Sequence, residues 1–297
     1  MSDELFLTQD HPSFFRDQQY VYPVIGRRAG GVSIGINLSQ SQKCNFRCIY
    51  CQVGHERIDR QALFASQNSK SDDIDLTKLH FELKKTAQQV LNGRIFEDAW
   101  FSHAPKDKRI LKDFAFSGDG EPTLSSQFPS AVQAVVDVRQ ELRLDDVKIV
   151  LITNATCLQK PAVVEALKLL IENNGEIWAK LDAGSDYCYQ TMNRSSVPYS
   201  TILDNILFVA QSWGVVIQTM LLRSNGELPS EVEIIKYCQQ LNQIREKGGT
   251  IRQLQLYTVA REPLENNVVA LSNEEMNHLG TFIRSKTSLN PQIFYSH

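Results

Sequence analysis

The chain has 297 residues, length for one large domain or two small ones, and its 42% apolar and 22% charged residues argue against a mostly disordered polypeptide. Thirty-one Lys and Arg against thirty-four Asp and Glu leave a net charge of −3, which does not suit clamping a long phosphate backbone by charge alone. No run approaches the ~18 apolar residues of a membrane helix, and the acidic start Met1-Ser2-Asp3-Glu4 lacks a secretory pattern. The expected address is the cytoplasm, with no membrane partner.

In chain order, residues 1–31 hold Pro12, Pro23 and the glycines 26, 30 and 31, and read as an extended N-terminal arm. A β-branched run at 32–38 is the first predicted strand. The connection from 52 to 112 is long for a crossover; only 77–91 has helical periodicity, and the rest is a possible lid. Strands then follow at 113–118, 147–155, 176–183, 215–222 and 251–259, separated by helical segments at 126–141, 161–173, 200–212 and 230–245. A last helix is expected at 272–285, before a tail at 287–297. Pro161 suits a first helical turn, Ser230 an N-cap, and Ser272 with Glu275 a capping box. Six strands alternating with six helices predict an α/β fold of parallel strands, as an open doubly wound sheet or a curved barrel. Both place functional loops at the carboxyl ends of the strands.

Of six cysteines, Cys157, Cys188 and Cys238 are scattered singly and read as small buried hydrophobes. Cys44, Cys48 and Cys51 crowd into one loop after the first strand, spaced C-x3-C-x2-C. A closed structural zinc site wants four ligands, usually two knuckles, and no second knuckle exists. A [4Fe–4S] cluster held by three thiolates keeps one iron open for a reactant. His55 as a fourth ligand would close that position and turn the protein into an electron carrier or a structural metal protein. The second strand ends in Ser117-Gly118-Asp119-Gly120-Glu121-Pro122, where two glycines allow close backbone approach and Glu121 offers a carboxylate. The other five histidines have no ligand-like spacing.

These two motifs resemble those of the radical S-adenosylmethionine (SAM) superfamily. Tyr50 before the third cysteine fits the cluster motif, and Gly118 to Pro122 fits the glycine-glycine-glutamate motif, with Asp119 where many members have Gly. The resemblance spans roughly residues 20–286 and implies a partial (β/α)6 TIM-like barrel over 32–286. More narrowly, GINLSQSQKCNFRCIYCQ, FSGDGEPTL, AKLDAG and QLYTVAREP resemble a poorly characterised prokaryotic group of Fe–S oxidoreductases, also labelled wyosine-synthase-like.

The resemblance implies that Cys44, Cys48 and Cys51 hold three irons of a [4Fe–4S] cluster and that SAM chelates the fourth. It places Tyr50 near adenine, and Gly118, Asp119, Gly120 and Glu121 at the methionyl ammonium. Asn154, Lys180, Asp182 and Gln218 would reach ribose and carboxylate, and Tyr257 adenine or substrate; Lys180 and Asp182 read equally well as an internal ion pair. The implied chemistry is reductive cleavage of SAM to a 5′-deoxyadenosyl radical that takes hydrogen from an unidentified substrate. The electron donor would be of flavodoxin or ferredoxin type, and the substrate a small molecule, a tRNA or a protein. Competing readings are a non-enzymatic Fe–S or structural metal protein and, among enzymes, tRNA-base modification or activation of a glycyl-radical partner. From Arg27 to Arg60 six basic residues (27, 28, 43, 47, 57, 60) face two acidic ones, Glu56 and Asp59. That local excess of +4 suits an acidic electron donor or a phosphate-bearing substrate.

Overall fold

The structure is a computed structural model that describes residues 18–39, 41–52 and 73–296. His55, Arg57, Arg60, the first 17 residues of the expected arm and much of the possible lid lie outside the described residues.

The six predicted strands all form: β2 (Gly31–Ile36), β3 (Leu111–Phe116), β4 (Lys148–Thr153), β5 (Gly175–Lys180), β6 (Val215–Met220) and β8 (Ile251–Tyr257). They pair in parallel in that order within an eight-stranded sheet. The sheet curls into a half-barrel, which decides between the two architectures left open by the pattern. Helices α1 (Leu76–Leu91), α2 (Phe128–Glu141), α3 (Pro161–Glu172), α5 (Tyr199–Ser212), α6 (Glu231–Glu246) and α7 (Asn273–Thr287) match the predicted segments, and a short α4 (Asp186–Met192) was not foreseen. Their start signals hold: Pro161 sits in the first turn of α3, Ser230 accepts from the Glu233 amide, and Ser272 with Glu275 forms a complete capping box.

Two expectations change at the chain ends. The described part of the arm is no extended wrap: β1 (Val21–Gly26) pairs antiparallel with β2. This crossing is close, since a Cβ on Gly35 would lie 2.3 Å from the Tyr22 ring. Part of the expected tail, β10 (Gln292–Phe294), adds a parallel edge strand beside β8. A separate ribbon joins β7 (Leu222–Ser224) to β9 (Val268–Ala270).

Period-two alternation gives the sheet two unlike faces. Ile34, Phe114, Phe116, Ile149, Leu151, Ile177, Ile217 and Leu254 point under the helices and form the main core. The concave face carries a small apolar group of Ala115, Val150, Trp178 and Val216, set among polar side chains. Apolar residues on both faces explain why the strands read as continuous hydrophobic runs. Among the described residues no helix is long and apolar enough to cross a membrane.

Candidate active site

The cysteine loop leaves the carboxyl end of β2 and is fixed from three sides. Toward the strand-two motif, Lys43 N donates to Ser39 Oγ at 2.5 Å, and the Glu121 amide donates to the Lys43 carbonyl at 2.9 Å. Toward β4, Asn45 Nδ2 donates to Thr156 Oγ1 at 2.9 Å and Asn154 Nδ2 to Asn45 Oδ1 at 2.7 Å. Toward α4, the amides of Arg47 and Ile49 donate to the carbonyls of Asn193 and Met192 at 2.8 and 2.9 Å. Buried Phe46 packs edge-on against Tyr189, with centroids 5.6 Å apart. The loop is therefore docked, and two of its three sides are held by residues more than a hundred positions downstream.

The sulfurs sit in a mixed environment. Burial pushes the Cys44 thiol up to about 12 and the Cys48 thiol up to about 11, and Cys44 feels Cys48 and Cys51 as like charges. Bare burial favours the protonated thiol, and an electropositive metal reverses that by deprotonating it. Nitrogen donors already point at sulfur. The Phe46 amide lies 3.4 Å from Cys44 Sγ, Asn154 Nδ2 lies 3.7 Å from the same atom, and Asn193 Nδ2 lies 3.4 Å from Cys48 Sγ. Donors of this kind suit thiolates on an iron–sulfur group. Among the described residues no group of three or more His, Cys, Asp or Glu is placed to hold a single ion.

Glu121 is tied into its own chain. It is buried, and its carboxylate already accepts from Thr123 N at 3.1 Å, Thr123 Oγ1 at 2.5 Å, Thr153 Oγ1 at 2.7 Å and Asn154 N at 2.7 Å. Burial raises its pKa, and these donors oppose the rise. It acts as a clamp between the β3 exit and the β4 exit. What the motif exposes at the mouth is its first half, Gly118 and Asp119. Gly118 has φ +121°, a conformation that disfavours side chains, and Gly120 packs so closely that a Cβ would lie 2.5 Å from the Lys43 carbonyl.

Lys180, Asp182, Tyr50 and Tyr257 form one connected group. Lys180 Nζ donates to Tyr257 Oη at 2.5 Å, lies 3.7 Å from Asp182, and sits 4.8 Å above the Tyr50 ring centre. Asp182 accepts from the Tyr50 hydroxyl, from Asn193 Nδ2 at 2.9 Å and from the Met220 amide at 2.9 Å. Burial works against the Lys180 ammonium, but Asp182 beside it raises its pKa overall. The internal ion pair exists. It sits beside Cys48, so it belongs to the mouth. Gln218 is fully buried on β6 and donates to Gln255 at 2.8 Å.

Sequence reasoning missed Asn45, Thr153, Thr156, Asn193 and Ser195, whose hydroxyl donates to the Asn45 carbonyl at 2.8 Å. No local signal marks them, because each is a single polar residue whose partner is distant in the chain. The basic excess around the loop also divides: Arg27 binds the carbonyls of Tyr295 and Ser296, and Arg28 turns into the lumen.

The sequence model of the radical SAM superfamily matches residues 38–238. The chain belongs to this superfamily. Radical SAM proteins use a [4Fe–4S] cluster and SAM, and the cysteine loop lies within the matched region. A UPF0026 protein of Helicobacter pylori strain J99, from a poorly characterised group, is 27% identical over 216 residues, covering 72% of this chain and 55% of that one. This chain spans between 34% and 65% of the length of the curated relatives it matches. Among solved structures, TYW1 with a lysine–pyruvate adduct bound overlays with a TM-score of 0.55 at 11% identity, covering 99% of this chain and 91% of TYW1. Streptococcus suis SuiB bound to SAM overlays at 0.52 with 12% identity, covering 86% and 48%. At these identities the structural matches speak for the radical SAM half-barrel fold.

Proposed function

We propose that this enzyme holds its cluster on Cys44, Cys48 and Cys51, holds SAM at the same mouth, and directs the radical into the concave lumen of the half-barrel. The observation that carries this reading is the docked three-cysteine loop, with nitrogen donors on two of its sulfurs, beside the open Gly118–Asp119 backbone. When both groups are bound, the chemistry supplied there is one-electron cleavage of a sulfonium C–S bond, giving methionine and a 5′-deoxyadenosyl radical that takes a substrate hydrogen atom.

The chain's own residues hold and exclude. Asn154 and Asn193 donate toward sulfur, and Glu121 fixes the two loops against each other. The backbone from Gly118 to Gly120 offers the close approach that a methionyl ammonium needs. Lys180, Asp182, Tyr50 and Tyr257 wall the mouth toward the lumen, and the apolar patch around Trp178 limits water below it. Met220, Leu222, Val259 and Val268, packed with Ile49, cover the side where β7 and β9 meet. The reaction type is of the oxidoreductase or transferase kind, and the external reductant is of flavodoxin or ferredoxin type.

Anaerobic reconstitution, reduction and addition of SAM test this reading. Release of 5′-deoxyadenosine by the wild-type protein, lost in Cys48→Ala, is the expected result. A reconstituted cluster that is reduced and releases none would favour an electron carrier instead.

A further inference from the structure

The turn between β1 and β2 carries two adjacent arginines with different fates. Arg27 bonds to the carbonyls of Tyr295 and Ser296, just past β10, and so ties the two edges of the open barrel together. Arg28 is thereby carried over the concave face. Its guanidinium carbon lies 6.0 Å from the Trp178 ring centre and 5.1 Å from that of Tyr257. Trp178 is itself held by its indole N–H, which donates to Glu176 at 2.9 Å.

Ring contacts use the faces of a guanidinium and leave its in-plane N–H fork for other partners. Among the described residues none forms an ion pair or hydrogen bond with that fork. The lumen carboxylates take their direct contacts elsewhere: Glu176 pairs with Lys148 at 2.6 Å, and buried Asp113 accepts from the Ser33 hydroxyl and feels the Arg28 charge only through space. A second observation comes from a neighbouring strand. Gln218, on the strand between those bearing the two rings, is fully buried, and its Oε1 has no hydrogen-bond partner. The concave face thus holds a half-buried cation with open donors and, on the strand between its two ring partners, a buried acceptor left open.

Lys180 Nζ lies 5.2 Å from the same Tyr257 ring, so the Arg28 and Lys180 cations are no more than about 10 Å apart. Lys180 borders the cysteine loop and is already bound to Asp182 and Tyr257. A group anchored on Arg28 therefore extends toward the reactive mouth over a few bond lengths, the span of a small molecule. We infer that Arg28 is the anchor for a small organic anion, whose carboxylate or phosphate pairs with the guanidinium while the rest of the substrate points to the mouth. The anion accepts from the N–H fork, and a ligand hydroxyl or amine meets Gln218 Oε1. This inference rests on the lumen being the substrate chamber.

Equilibrium dialysis of labelled succinate and of labelled inorganic phosphate against the reconstituted full chain, without reductant or SAM, tests it. At least one probe should bind saturably at one site, and the tighter of the two identifies the anion class. Arg28→Gln should weaken that binding by about tenfold to hundredfold, the usual worth of a charge-assisted bond. Arg28→Lys should recover part of it, because the charge remains while the fork is lost. Iron content and far-UV circular dichroism of each variant establish that it is folded and loaded. Absence of saturable binding by either probe, as for a tRNA or peptide substrate, overturns the inference, and so does equal affinity in folded Arg28→Gln. Neither outcome touches the release of 5′-deoxyadenosine by the wild type, so the two readings fail separately.

Discussion

Glu121 shows what one side chain's surroundings decide. Its carboxylate accepts four hydrogen bonds from its own chain and so clamps the two strand exits together. Glu121→Gln turns one end into a donor facing donors. The expected loss is about 1.5–3 kcal/mol of stability, read from urea midpoints; an unchanged midpoint would show that these bonds carry no net energy. Asp113 gives the pH dependence. Burial pushes its carboxyl up to about 6; Ser33, Lys148 and Arg28 oppose this and Glu176 adds to it. Because the folded pKa is raised above its unfolded value of about 3.9, the associated stability is full below pH ~4 and is lost as pH rises through about 6. The gap corresponds to about 3 kcal/mol. Asp113→Asn should therefore be more stable than wild type at pH 8, and the advantage should shrink by pH 5, as thermal melts at both values would show.

At the scale of the element, the cysteine loop is positioned by contacts to the β3 exit, the β4 exit and α4. Gly120 is the tightest of these contacts. A methyl group there would press on the Lys43 carbonyl at 2.5 Å, and the obstacle is backbone next to Cys44. Gly120→Ala should cost about 1–3 kcal/mol and lower iron retained after anaerobic gel filtration. If iron content and melting temperature are both unchanged, the loop is more adaptable than its hydrogen bonds indicate. The cysteines divide the same way. Cys44→Ala, Cys48→Ala and Cys51→Ala should each abolish the cluster, whereas Cys157→Ala, Cys188→Ala and Cys238→Ala should leave iron per chain unchanged. Unchanged iron in Cys48→Ala would remove the loop as the cluster site.

At the scale of the molecule, most of the main core lies between the convex sheet face and the helices, and the cysteine loop adds to it through Phe46, with Cys44 and Cys48 packed against it. Folding therefore does not depend on the cluster as it does in a small metal-nucleated domain. Stripping iron with chelator under oxidant should leave far-UV circular dichroism and the cooperativity of urea unfolding nearly unchanged. Loss of the cooperative transition in the stripped protein would show that the cluster holds the barrel together.

The strands, helices and caps were legible because burial period and capping chemistry are local: Ser272 and Glu275 lie three residues apart and need no other part of the chain. The three thiols were legible for the same reason, as neighbours within one loop. What the sequence could not determine depended on residues far apart in the chain. The pattern left open sheet or barrel, since both produce the same alternation, and only strand curl decided for the half-barrel. Asn193 reaches Cys48 across 145 positions, and Thr153 and Asn154 take up Glu121 from more than thirty positions away. Arg28 counted only as one more positive charge until the β1–β2 turn laid it against Trp178 and Tyr257. Charge and spacing are properties of the chain, whereas the partner of a charge is set by where tertiary packing leaves the nearest acceptor.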